Sequence, residues 1–265
     1  MNSISDVKIL KDDLQPNTSA PRQPDGNIGA VYQVALLQSL TQGYFDGVIK
    51  VSELKRRGDT GLGTFDGVNG EMIVLDGRVY QALGNGSVRT ADDNETVPFS
   101  VVTFFDKDIS AVLPASDDIN SLKESLTKIV DENGRNLFFM VKLVGKFKRM
   151  KVRSIPKQTK PYRSLDKALA ADQKVYEYEN ISGTAVALYC PDYMAGLNAS
   201  GWHLHFISDN KTRGGHILDL SFDSVQAEFD AKQSFELYLP GDPEFQSMGL
   251  SKDVSEAIRK VETNE

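Results

Sequence analysis

The sequence is poor in the residues that cross-link small folds. It has one cysteine, Cys190, which excludes an internal disulfide. Cys190 follows the apolar run Thr184-Ala185-Val186-Ala187-Leu188-Tyr189 and reads as a buried, inert thiol. No apolar run reaches the roughly 20 residues that a membrane-spanning helix needs. The N-terminus, Met1 to Asp6, has neither the basic nor the apolar region of a signal peptide, so a cytoplasmic location is expected. Positive charge is in deficit: 30 Lys and Arg against 37 Asp and Glu give a formal net charge of −7. There is no dense basic stripe, and nucleic acid is not an expected partner. Lys146 to Arg153 is locally basic, but its alternation reads as a strand with one charged face. Histidine is scarce as well, with three in 265 residues.

Those three are not scattered. His203, His205 and His216 fall in one short stretch. Neutral imidazole is the commonest side-chain metal ligand. Three imidazoles with a non-protein fourth position make a catalytic zinc arrangement. Trp202-His203-Leu204-His205-Phe206-Ile207 has the aromatic and β-branched make-up of a strand. Residues two apart on a strand share a face. His203 and His205 therefore point one way, Leu204 and Phe206 the other. Ser208 to Gly215 is turn chemistry, and His216 to Leu220 resumes a strand. A hairpin centred between Asn210 and Lys211 sets His205 opposite His216, with His203 diagonal to it. Opposed Cβ atoms are about 5 Å apart and diagonal ones about 7–8 Å, so one ion can bridge all three. A bulge at Gly214-Gly215 would alter that register. A lone histidine, or a His-x-His pair by itself, is more often a packed or hydrogen-bonded residue. Three of three on one hairpin face favour a metal. Zinc comes first because it accepts all-nitrogen ligation without redox chemistry; iron, manganese and nickel stay open.

A chain of this length, 40% hydrophobic and 25% charged, makes one large or two modest globular domains. The expected class is α/β of the α+β kind: two packed domains with mixed or antiparallel sheets, the metal site on a β-hairpin of the second. Residues 1–28 are polar with three prolines and read as a flexible arm. Residues 29–160 form the first domain, and 161–265 the second with a C-terminal tail. Thr159-Lys160-Pro161 marks the join. Helices are expected over Ala35–Leu40, Ser52–Arg57, Ser164–Leu169 and Lys252–Val261. A further helix, capped by Asp117 or Asp118, carries Ile119, Leu122, Leu126, Ile129 and Val130 at a 3.6-residue period and stops at Asn133-Gly134. Asp76-Gly77 is a hairpin turn between Glu71–Leu75 and Arg78–Leu83. Other strands are expected at Gly63–Phe65, Phe99–Phe105, Ser182–Tyr189, Ser221–Phe229 and Gln233–Leu239. A strand pair is expected over Leu137–Val144 and Lys146–Ser154.

Several segments then combine. Gly58-Asp59-Thr60-Gly61-Leu62-Gly63-Thr64-Phe65, Asp66 to Glu71, Arg135-Asn136-Leu137-Phe138-Phe139, Gly201 to Ile207 and Gly214-Gly215-His216 resemble the α-acetolactate decarboxylase family. The similarity runs in the same order from about Val31 onward. It implies a two-domain α/β fold, a homodimer, and a zinc carboxy-lyase acting in acetoin and butanediol metabolism. That enzyme converts 2-acetolactate (2-hydroxy-2-methyl-3-oxobutanoate) to (R)-acetoin and CO2 through a metal-stabilised enediolate. The resemblance makes His203, His205 and His216 the Zn2+ ligands. It makes Glu71, Arg153 and Glu262 catalytic, with Arg153 also orienting the substrate and Thr64 near it. Lys142 and Val144 stand where arginine and aspartate are commoner in the family. Either Glu71 or Glu262 would deliver the proton to one face of the enediolate. A glutamate acid near neutrality needs a pKa raised by burial or a second carboxylate. The alternatives are a zinc-dependent hydrolase, which would lack an HExxH helix here, a cupin-like metal protein, or a module that a metal merely stabilises. Against the cupin, Phe206 to Asn210 supplies no glutamate.

Overall fold

The computed structural model describes residues 8–10 and 29–250. The strands, in chain order, are β1 (Lys8–Leu10), β2 (Ala30–Val34), β3 (Ile49–Lys50), β4 (Thr60–Thr64) and β5 (Glu71–Leu75). There follow β6 (Arg78–Ala82), β7 (Val88–Thr90), β8 (Thr96–Val97), β9 (Phe99–Thr103) and β10 (Ile109–Leu113). The last five are β11 (Phe138–Ser154), β12 (Lys174–Cys190), β13 (Gly201–Ser208), β14 (Gly214–Lys232) and β15 (Ser234–Tyr238). The helices are α1 (Leu37–Thr41), α2 (Val51–Leu54), α3 (Ile119–Asn133), α4 (Leu165–Asp172) and α5 (Pro243–Ser247). β1 belongs to the stretch expected as an arm. The rest of that stretch, and the helix expected over Lys252–Val261, lie outside the described residues.

Mixed α+β structure dominated by strands is what the chain forms. A seven-stranded sheet runs β15-β2-β9-β4-β5-β6-β7, and a six-stranded sheet runs β1-β10-β14-β11-β12-β13. Every pairing is antiparallel except β15 with β2. In the six-stranded sheet β13 also pairs back onto β14, so four strands close on themselves. Sheet membership does not follow chain order: β10 joins the C-terminal strands, and β15 joins the N-terminal ones.

The closed strands alternate. Phe139, Val141, Leu143, Leu204 and Phe206 point into one apolar cluster. Phe138, Met140, Val186 and Leu188 point outward into a second, shared with Leu62, Ile73 and Phe99 of the seven-stranded sheet. α3 drops Leu122, Leu126, Ile129 and Val130 into the first cluster. Each fully buried apolar side chain of this size contributes about 1.5–3 kcal/mol. The sequence reading of α3 holds: Asp118 accepts a hydrogen bond from Ser121 N, and Gly134 ends the helix. Trp202 Nε1 donates to Thr127 Oγ1 at 2.9 Å and ties α3 to β13.

Two readings need correction. The strand pair expected on either side of Gly145 is one 17-residue strand, β11. A single glycine gives no room for a hairpin turn, and here it lets Val225 of β14 press close, 2.9 Å from where a Cβ would stand. The segments expected at His216–Leu220 and Ser221–Phe229 are likewise one strand, β14. The register between β11 and β14 shifts at three points. Each shift inverts the in–out alternation locally and breaks the period-2 pattern without ending the strand. Ser164 does precede α4, but its side chain makes no capping bond.

Candidate active site

The histidine hairpin has the register that its loop length implies. His205 pairs with His216, Phe206 with Gly215 and Ile207 with Gly214, so no bulge intervenes. Glycine is needed where β14 closes. Gly215 sits at φ +150°, and a Cβ there would lie 2.5 Å from Arg153 O. That close approach sets Arg153 of β11 directly beside His216 of β14.

The seven-stranded sheet brings the remaining groups. Thr64 and Glu71 are directly paired across β4 and β5 and so share a face. Thr64 Oγ1 donates to Gly70 O at 2.7 Å. Gly70 N in turn donates to Ile155 O at 2.9 Å, and Ser154 Oγ to Ala82 O at 2.7 Å. These two bonds fix the end of β11, and with it Arg153, against the sheet that carries Glu71.

His203, His205, His216, Glu71, Arg153 and Thr64 are all buried, and all line one cavity of about 40 Å3. Glu71 Oε2 lies 3.5 Å from His205 Nε2. Six of the seven residues expected in the site are thus brought together. Glu262 lies outside the described residues.

The ring nitrogens converge. His203 Nε2 is 3.0 Å from His205 Nε2 and 3.2 Å from His216 Nδ1. One donor atom from each ring falls within 4.8 Å of the others. Burial pushes His203 down to about 3, with the positive charges of Arg153 and Lys123 adding to it. Burial also holds His205 well below its ordinary value, helped by His203 and Arg153 and opposed by Met72. Both rings are therefore neutral at pH 7, the form that ligates metals. His205 Nδ1 lies 2.7 Å from Met72 O. A carbonyl only accepts, so Nδ1 carries the hydrogen and Nε2 presents a lone pair. A backbone partner on the far nitrogen is the usual support for a ligating histidine.

The donor set fits a metal ion. Around a tetrahedral ion with bonds of about 2.0–2.1 Å, ligand atoms stand about 3.3–3.4 Å apart, close to the separations of 3.0 and 3.2 Å that His203 makes with the other two rings. Three buried histidines this near one another can hold a metal. Sequence reasoning missed Met72, because a backbone carbonyl leaves no residue signature. It also missed Leu37 and Leu40 of α1 and Leu165 and Leu169 of α4, which line the cavity with Val68, Phe99 and Ile155. The i,i+3 and i,i+4 spacing of the leucines marks a shared helix face, but not what that face covers.

Comparison with known proteins bears on this geometry. Residues 31–252 match the family described as alpha-acetolactate decarboxylase. An alpha-acetolactate decarboxylase from Methanosarcina mazei is 38% identical over 261 residues, covering 98% of this chain and 86% of that protein. One from Brevibacillus brevis is 34% identical over 96% of this chain and 87% of that protein. The crystal structure of alpha-acetolactate decarboxylase from Bacillus subtilis strain 168 superposes with a TM-score of 0.84 at 30% identity, covering 88% of this chain and 99% of that one.

Proposed function

Since the chain belongs to the alpha-acetolactate decarboxylase family of carboxy-lyases, we propose that it decarboxylates 2-acetolactate to (R)-acetoin and CO2 at a zinc ion held by His203, His205 and His216. The observation that carries this reading is the convergence of three buried histidine nitrogens beside Glu71 and Arg153. Family membership sets aside the zinc-hydrolase and cupin-like alternatives.

Zinc held by His203, His205 and His216 would supply positive charge to stabilise the electron pair left behind as CO2 departs. The chain's own groups do the rest. Arg153 offers planar guanidinium donors that match a carboxylate and holds the substrate by its acid group. Its position next to His216 keeps that acid group within reach of the metal ligands. Thr64 Oγ1, with its hydrogen given to Gly70 O, keeps acceptor capacity toward a substrate hydroxyl. Glu71 approaches from the other sheet, so a proton passed from its carboxyl group arrives on one face of the enediolate. One-sided delivery makes acetoin of one hand. Glu262 is the second candidate donor. The buried, leucine-lined cavity keeps bulk water from competing for that proton. A homodimer, also implied by the resemblance, is tested by sedimentation.

The direct test is to add racemic 2-acetolactate to zinc-loaded protein, to a chelated sample and to His205→Ala. Metal-dependent CO2 release with a single acetoin enantiomer supports the reading. A rate equal to spontaneous decay in the loaded protein rejects it.

A further inference from the structure

The cavity lining divides by chemistry. Its polar groups come from strands: the three histidines, Glu71, Arg153 and Thr64. Its apolar lining joins Val68, Phe99 and Ile155 to Leu37 and Leu40 of α1 and Leu165 and Leu169 of α4. α1 and α4 pack against each other. Leu40, Leu165 and Leu169 keep 5–6% exposure, whereas Leu37 keeps 1%. All four line the cavity.

This apolar wall is held from outside. A five-residue helix has too few internal bonds to stand alone. Leu37 N donates to Leu197 O at 3.0 Å, and Gln38 N to Gly196 O at 3.3 Å. Gln33 Nε2 donates to both Ala35 O and Leu197 O at 2.8 Å, and Asn198 Nδ2 donates to Gln33 Oε1 at 2.8 Å. Gln33 and Asn198 are themselves fully buried. The α1 side of the wall, fixed by a buried amide network, yields little to an oversized group, and α4 packs against it. The space is small as well: about 40 Å3 holds about three waters at roughly 10–15 Å3 each.

We propose, resting on the decarboxylase reading above, that Leu40, Leu165 and Leu169 set the size of the alkyl group accepted on C2 of a 2-hydroxy-3-oxo acid. The acid, hydroxyl and ketone cannot lie against leucine without losing their hydrogen bonds. They turn to the strand-borne groups, and the alkyl substituent is left to the apolar lining that the leucines share with Val68, Phe99 and Ile155. In such a pocket one methylene discriminates by about 10–200-fold.

The test compares 2-methyl and 2-ethyl 2-hydroxy-3-oxobutanoate as substrates of the wild type, Leu40→Ala, Leu169→Ala and Leu169→Phe. In parallel, calorimetry measures binding of the unreactive 2-hydroxy-2-methylbutanoate and 2-ethyl-2-hydroxybutanoate, which differ by one methylene on C2, to the zinc-loaded proteins. The alanine variants are expected to raise the ethyl-over-methyl ratio, in kcat/KM and in affinity, by about tenfold or more. Leu169→Phe is expected to lower both ratios, and it tests the same wall should an alanine variant fail to fold. Ratios unchanged in the folded variants overturn the proposal, even if CO2 is released at the full rate. Affinity ratios that shift as expected while the wild type releases no CO2 uphold the leucine wall and reject the decarboxylase reading instead.

Discussion

The two ends of β14 bury polar side chains in opposite ways. Near its end, Asp230 and Lys232 are as buried as the histidines near its start. The pair saturates itself. Lys232 Nζ lies 2.8 Å from Asp230 Oδ1 and donates to Phe104 O at 3.1 Å, while Asp106 N donates to Asp230 Oδ2 at 3.0 Å. Donors meet acceptors, and no guest is needed. At the start, His216 joins His203 and His205 in a cluster of ring nitrogens. His205, its Nδ1 hydrogen given to Met72 O, brings only a lone pair to that meeting. Lone pairs converging in a buried space are stabilised by a cation. A closed network supports the fold, whereas three converging ring nitrogens can hold a metal ion.

Exchanging the two losses gives the sharpest test of that contrast. His205→Ala is expected to lower CO2 release by about 10^3-fold or more, since metal charge stabilisation is worth several kcal/mol and each 1.36 kcal/mol is tenfold. Its unfolding by heat should stay cooperative. Glu71→Gln should retain zinc, measured by atomic absorption, and lose about 10^2–10^4-fold in kcat as a proton donor is removed. Asp230→Ala should do the reverse of His205→Ala. It leaves Lys232 buried without its carboxylate and is expected to lower the unfolding free energy in urea by about 3–5 kcal/mol, with zinc per chain unchanged. An Asp230→Ala protein that loses zinc but not stability would break the comparison.

The smallest effect is a pH slope. Burial pushes Asp230 up from 3.8 to about 7, with Lys232 opposing the shift. The folded protein therefore holds this proton to higher pH than the unfolded chain does. This group's contribution to stability is greatest below about pH 4 and declines as pH rises towards 7. Urea midpoints across that window should show less downward slope in Asp230→Asn/Lys232→Met than in the wild type.

The site was legible wherever the signal was local. The hairpin register followed from equal distances about Asn210 and Lys211, and the structure pairs His205 with His216. α3 followed from its cap and its period. What stayed hidden is long-range. The continuity of β11 and β14 is masked by their register shifts. The hydrogen bond from His205 to Met72 O crosses between sheets, and no spacing in the sequence encodes it. The leucines of α1 and α4 meet only through the fold, since their helices are far apart in the chain.

On the proposed function, the histidine cluster and not the Asp230–Lys232 pair binds the catalytic ion. This is tested most directly by titrating metal-free protein with zinc while following CO2 release from 2-acetolactate. Activity is expected to climb in step with bound zinc to a plateau at one ion per chain in the wild type and in Asp230→Asn/Lys232→Met, and His205→Ala to show neither. Full activity without bound zinc, or an undiminished plateau in His205→Ala, would contradict it.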